Sequence, residues 1–426
     1  MDINKKINVL LRTGLILMEC GADTSRTTRN LNRLSEFLLL PSDSLELYVV
    51  YNMVMVSVAY EGETITKFKR VNKHGVNLEV IKEISNLTRE ASERGLTVND
   101  YERELDDAYR SKRNYKEWQV VVGGGLACGG FCVQFGGDAT AFVYASISAM
   151  VGLFLKSYLT KHKFNDYLNV GVSTFVATLV AWLFSLIDAY SLFPLLKSET
   201  PSHALMACAL FIVPGVHIMN FVSDMLAGYT QVGMTRAMRS FLILMAMAFG
   251  IGLSIQICAI DEFVHGLSIV PHHRYWAYMA AAAVSAVGFS MLFNVPRYLL
   301  WIIALGGAVA ICTRNIVSLG ESSGNIGLDL GPMIGSFAGS ALVSMIFCLA
   351  VRRLKTPHQC LSVPSVIPMV PGVLMYRAIF GMFTLHGVVG EVTVAAYNAV
   401  QATLIILSIS LGVAIPNIFF RRLISK

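Results

Sequence analysis

Charge is scarce in this chain. Only 15% of its 426 residues are Asp, Glu, Lys or Arg, while 54% are hydrophobic, far from the balance of a soluble domain. The eight cysteines contain no C-x-x-C pair, so neither a metal site nor a disulfide framework is expected. Cys128 and Cys132 are four residues apart within an apolar run and are expected to pack on one helix face. There is no lone apolar block at the start to serve as a cleavable signal; Asn8–Met18 has the pattern of an amphipathic helix. The net charge of +6 comes from side chains that flank apolar stretches and form no single basic face, which argues against a nucleic-acid partner. No nucleophile–base pair, phosphate loop or metal cluster can be picked out, so no catalytic residue, metal ligand or cofactor is expected, and the chain does not read as an enzyme. The glycine run Gly123–Gly130 has no strand before it and lies in an apolar stretch, so it is no dinucleotide loop.

The charge that is present lies mostly at one end. Residues 1–117 are polar and residues 118–426 are long apolar stretches, which places a domain boundary near Trp118. In the polar part, Ile7, Leu10, Leu11, Leu15 and Met18 recur at helical spacing and Gly21 ends that helix. Asp23, Thr24 or Ser25 can cap a second helix carrying Leu31, Leu34, Phe37 and Leu38. Three runs, Leu45–Tyr51, Val54–Tyr60 and Thr64–Val71, alternate or turn as strands with Glu61-Gly62 between the last two. Helices over about 78–94 and 98–113 complete a small α+β domain. The Gly21–Arg26 segment reads as a tight interhelical turn with a cap, or else as a site.

Beyond residue 117, ten stretches have the length of a transmembrane helix: 118–135, 139–159, 167–187, 203–226, 237–258, 275–293, 298–312, 327–351, 361–384 and 392–415. Lys161, Lys163, Arg236, Arg297, Arg352, Arg353, Lys355, Arg421, Arg422 and Lys426 fall in alternate connections. Lys197, Arg274 and Arg314 fall in the others. The positive-inside rule then places both termini in the cytoplasm. The chain divides into the 1–117 domain, a five-helix repeat at 118–260, an outside linker at 261–274 and a second repeat at 275–426. Gly215 and Gly372, Phe131 and Phe289, and Gly252 and Gly412 are separated by a near-constant 157 to 160 residues. An odd number of spans per half inverts the second half, a common transporter architecture. Gly331, Gly335 and Gly339, and likewise Gly125 and Gly129, form small-residue ridges suited to close helix packing.

Two Pro-Gly breaks interrupt these spans at matching places: Pro214-Gly215, followed by His217, Asn220, Ser223 and Asp224, and Pro371-Gly372, followed by Tyr376 and Arg377. Proline removes a helical donor and glycine loosens the backbone. A helix restarting after the break presents amide donors and a positive dipole end, which suit a carboxylate. Arg377 lies ~8 Å beyond its break at ~1.5 Å per residue, too deep to snorkel easily. These nine residues (Pro214, Gly215, His217, Asn220, Ser223, Pro371, Gly372, Tyr376 and Arg377) are the expected substrate site. Asp224 and Asp329 are candidates for proton coupling, each with an alternative as a solvated or interfacial charge. The expected partners are a small carboxylate-bearing solute, protons and the lipid bilayer; a homo-oligomer is left open.

The chain resembles the threonine/serine exporter family. The likeness rests on Gly21-Ala22-Asp23-Thr24-Ser25-Arg26, on Pro214-Gly215 with Asn220 and Ser223-Asp224-Met225, and on the Pro-x3-Pro-x2-Pro-Gly pattern Pro364–Gly372 with Tyr376. It covers nearly the whole chain. The resemblance implies a secondary transporter in a bacterial inner membrane that exports threonine and serine, driven by the proton motive force as an antiporter. Split relatives built from two chains are associated with succinate, so a dicarboxylate is the alternative substrate. The resemblance transfers no set of binding residues.

Overall fold

The computed structural model describes residues 3–110, 113–189, 197–258, 274–320, 326–383 and 389–424. The expected linker 261–274 lies, except for Arg274, outside them.

The polar end folds as expected. Helix α1 (Ile3–Glu19) buries Ile7, Leu10, Leu11, Leu17 and Met18. Gly21 then turns the chain with φ 85°, and α2 (Thr24–Phe37) starts on Asp23, whose carboxylate accepts the Arg26 amide as an N-cap. Strands β1 (Leu45–Val50), β2 (Met53–Tyr60) and β3 (Glu63–Arg70) form an antiparallel sheet in that order. Leu45, Leu47 and Val49 pair with Val58, Val56 and Val54, so their alternation presents one apolar face to the core. Helices α3 (Leu78–Glu90) and α4 (Val98–Arg110) close the domain, with Ile84, Tyr101 and Leu105 fully buried.

The apolar part begins with α5 (Glu117–Gln134), α6 (Ala139–Lys161) and α7 (Asp166–Ala189). Next come the short α8 (Pro201–Ala207), α9 (Gly215–Leu226) and α10 (Thr230–Ile257). A second group follows: α11 (Tyr275–Leu292), α12 (Leu300–Ser318), α13 (Gly331–Leu354), α14 (His358–Val366), α15 (Gly372–Phe383) and α16 (Val389–Ile424). Seven helices of the described residues are long and apolar enough to cross a membrane, and the count reaches nine when each bent pair is one span. The expected tenth, α5, is not among them: five glycines and the polar Glu117, Gln119 and Gln134 dilute its hydropathy. Several boundaries also shift: α12 runs to Ser318, past the expected end at 312, and α16 to Ile424, past the expected end at 415. α10 begins at Thr230, seven residues before the expected start, and α13 begins at Gly331, after Gly327 and Asp329.

Packing recurs between the two groups. α5 packs on α6, α6 on α7, α7 on α10 and α9 on α10; likewise α11 packs on α12, α12 on α13, α13 on α16 and α15 on α16. Between the groups, α10 meets α15, α16 meets α9, and α5 lies along α11. At this last seam Phe131 and Phe289 meet edge to face at 5.8 Å, and each stacks on its own neighbour, Phe135 or Phe293. Ser285 donates to the Ala127 carbonyl at 2.9 Å. The seam needs small residues: a Cβ on Gly130 would lie 2.5 Å from the Ala281 carbonyl oxygen, and one on Gly288 would lie 2.3 Å from that of Gly123. Of the expected ridges, Gly335 and Gly339 pack against α12 and Gly125 and Gly129 against α6, whereas Gly331 opens α13 with φ 82° and open space where a Cβ would lie.

Candidate functional site

The two Pro-Gly breaks face each other at the centre of the helical part. α8 and its following single turn meet α9 at 57°, and α14 with its following turn meets α15 at 60°. Each glycine amide folds back onto the carbonyl two residues earlier, Gly215 onto Val213 and Gly372 onto Val370, both at 2.8 Å. The next two amides of each helix then become the first-turn donors without an intrahelical acceptor. Between the breaks lies a void of only about 10 Å³, lined by Phe131, Leu210, Val213, Gly215, Phe289, Ile367, Val370 and Gly372. One water needs ~10–15 Å³, so this centre is a dry plug.

A cavity lies on either side of the plug. One, of about 110 Å³, lies against the α+β domain and is lined by Asn220, Ser223, Gln359 and Ser410 together with Asp23, Ser25 and Arg29 of that domain. The other, of about 300 Å³, is bordered by Gln134 at the end of α5, by Tyr278, by Arg314, Asn315 and Ser318 at the end of α12, and by the segment Pro368–Leu374. α5 starts beside the α+β domain, where Tyr115 donates to Val295 and Arg297 donates to Asn114. Its 18 residues run ~27 Å at ~1.5 Å per residue, so the second cavity is on the far side.

The Gly21–Arg26 turn is both a capped turn and a docking element. Asn220 donates its side-chain amide to the Gly21 carbonyl at 2.8 Å, and Arg236 donates to the Ala22 carbonyl at 2.8 Å. The Thr24 amide donates to the Asp224 carboxylate at 2.9 Å. Arg26 donates to Gln359 on α14 at 2.8 Å. Asp23 stays ionised: burial opposes its charge, but the Arg26 and Arg29 guanidiniums and the Arg26 amide hold its carboxyl below the ordinary range. The same domain also contacts the connections at Phe293–Arg297, Lys355 and Tyr229–Gln231, where positive charge in the sequence placed the inside loops.

Of the expected site residues, Asn220 and Ser223 line the near cavity, Pro371 lines the far one, and Gly215 and Gly372 line the plug, with Pro214 directly before α9. Tyr376 is buried and donates to the Met206 carbonyl at 3.3 Å, and Arg377 contacts the Met206 sulfur at 3.2 Å. Neither lines these cavities, and nor does His217. The alternative of a solvated Asp224 is corrected: it is 0% exposed and ion-paired at 2.8 Å with Arg236. Arg236 is itself buried, contrary to its place among the loop charges. Asp329 is exposed in the loop before α13, with φ 50°, and lines none of the cavities described. Missed in the sequence were Gln359, Ser410 and the Asp224–Arg236 pair; Arg314 was visible but was counted as a loop charge.

Paired broken helices, cavities on both sides and a dry centre define a multi-pass membrane transporter. Residues 8–258 match the family profile of threonine/serine exporters, and residues 278–419 match a second profile, described as Threonine/Serine exporter, ThrE. The chain belongs to the threonine/serine exporter family, which comprises membrane transporters and not enzymes. It is 22% identical to the Threonine/serine exporter of Corynebacterium glutamicum over 98% of this chain and 83% of that protein. It is 18% identical to the Probable threonine/serine exporter of Mycobacterium tuberculosis over 89% of this chain and 70% of that protein. It is also 26% identical to the Probable succinate transporter subunit YjjP of Klebsiella aerogenes, over 57% of this chain and 89% of that protein. No solved structure matches.

Proposed function

We propose that the protein exports threonine and serine from the cytoplasm across a bacterial inner membrane, with the proton gradient driving the exchange. The observation that carries the reading is the plug between two cavities, built from four pairs of residues 157 or 158 apart: Phe131 with Phe289, Leu210 with Ile367, Val213 with Val370, and Gly215 with Gly372. Such pairing supports an inverted repeat of two five-span halves with α5 as the tenth span, and both termini in the cytoplasm. Under the same offset Asn220 corresponds to Arg377, Met219 to Tyr376 and Val363 to Met206. Asn220 borders an open cavity, whereas Tyr376 and Arg377 close on Met206. In this arrangement the Asn220 position borders a cavity and the counterpart position at Arg377 is packed shut. Exchanging the two arrangements would open the Arg377 side and close the Asn220 side, which is alternating access.

The test is efflux from cells preloaded with threonine, serine or succinate, with and without a protonophore. Threonine and serine efflux is expected to collapse with the protonophore and with Arg377→Ala at wild-type membrane abundance. Efflux that survives the protonophore rejects proton coupling, wild-type efflux by Arg377→Ala rejects the exchange, and efflux of succinate alone moves the substrate to the dicarboxylate.

A further inference from the structure

We infer that the far cavity is a carboxylate site and that Arg314 is its cation, an inference that rests on the exporter reading and names the chemistry recognised on the side away from the α+β domain. Arg314 lies four residues beyond Ala310 and seven beyond Gly307, both on the buried face of α12, so it faces protein. It is half-buried and borders a space of about 300 Å³. Among the described residues it makes no ion pair and no hydrogen bond. A half-buried cation without a counter-ion among the described residues favours an anion beside it, and the cavity is many times larger than one water needs, so it has room for a solute that carries one. The rest of the lining narrows the choice. Asn315, Ser318 and Tyr278 add a few polar groups, while Pro371, Val373 and Leu374 bring the apolar first turn of α15, whose dipole end also favours an anion. A guanidinium presents two parallel donors that match the two oxygens of a carboxylate.

The offset that relates the halves extends the comparison to the side of the α+β domain. It places Lys156 opposite Arg314 and His217 opposite Leu374. Lys156 lies on the buried face of α6, four residues beyond Gly152. The position that the offset relates to Arg314 is thus basic as well.

The test uses the purified full chain in lipid nanodiscs, with binding and melting temperature measured for L-threonine, succinate and threonine amide, which lacks the carboxylate. Threonine and succinate are expected to bind and stabilise the wild type, and threonine amide is not. Arg314→Gln is expected to weaken carboxylate binding ~10–100-fold, the loss for a hydrogen bond to a charged group. Arg314→Lys, which keeps the charge and replaces Arg314→Gln should that variant not insert, is expected to weaken it about tenfold. Carboxylate affinity unchanged in the variant tested overturns the site while leaving the exporter reading intact. Equal binding of threonine amide overturns it too, as does stabilisation that tracks anionic lipid content instead of solute, which would make the ligand a headgroup phosphate. A wild type that binds none of the three removes the exporter reading together with the site.

Discussion

Asp224 and Arg236 meet at 2.8 Å with side chains 0% and 2% exposed, and each also holds the backbone of the Gly21–Arg26 turn. The pair joins α9 to α10 and the membrane part to the α+β domain. Removing one partner strands the other charge, at a cost of ~3–5 kcal/mol, whereas replacing both with apolar groups costs far less. Asp224→Asn is therefore expected to lower the melting temperature sharply and to expose residues 1–117 to protease. Asp224→Leu with Arg236→Met should recover part of that loss. A double mutant less stable than the singles would show that the pair is not the main tie.

Gly21 is required by its backbone. Its φ is 85°, and a Cβ there would lie 2.7 Å from the Gly75 carbonyl oxygen. Gly21→Ala is expected to cost ~1–2 kcal/mol from the left-handed conformation alone, with more from the clash. Because the Gly21 carbonyl accepts the Asn220 amide, efflux should fall along with stability. Wild-type melting and efflux in this variant would show that the turn tolerates a side chain.

Gly130 and Gly288 are 158 residues apart, the offset of the proposed repeat, and each sits within 2.5 Å of carbonyl oxygen once a Cβ is added. Gly130→Val and Gly288→Val are thus expected to part the same seam and to produce matching losses of membrane abundance. Clearly unequal losses would count against the equivalence of the two halves.

His74 stacks on Tyr51 with ring centroids 4.1 Å apart. Burial, then the charges of Arg239 and Arg236, pull its value down from 6.5 to about 4. As pH falls below 6.5 the unfolded chain takes up a proton there that the folded chain refuses until about 4. Stability of the domain is therefore lost on acidification across that window. His74→Phe keeps the stack and cannot be protonated, so its melting temperature should fall less between those pH values. Superimposable profiles would show that His74 is not a contributor.

The features legible in the sequence were those that act locally. Pro214-Gly215 and Pro371-Gly372 break helices through their own backbone chemistry, and Leu45–Val49 with Val54–Val58 carry the sheet's period of two. The docking of Gly21, Ala22 and Thr24 onto Asn220, Arg236 and Asp224 spans about 200 residues of chain, and lone polar partners leave no periodic trace. Arg236 was misplaced because α10 starts at Thr230, a full turn and more before hydropathy alone indicated. The solvated alternative for Asp224 fails for the same reason, because its counter-ion Arg236 lies inside α10 and not in a loop. The cation of the far cavity was missed for a related reason: three or four residues from a helix end, sequence does not reveal whether a side chain turns to lipid or inward.

The α5–α11 seam bears on how the chain is tethered. Its contacts, Phe131 on Phe289 and Ser285 on Ala127, belong wholly to residues before 258 and after 274. Joining the halves in one polypeptide therefore acts as a concentration device: it supplies millimolar-scale local availability of one half to the other. Separately made 1–258 and 274–426 pieces would carry the same complementary surface, and their assembly would depend on expression level where that of the joined chain does not.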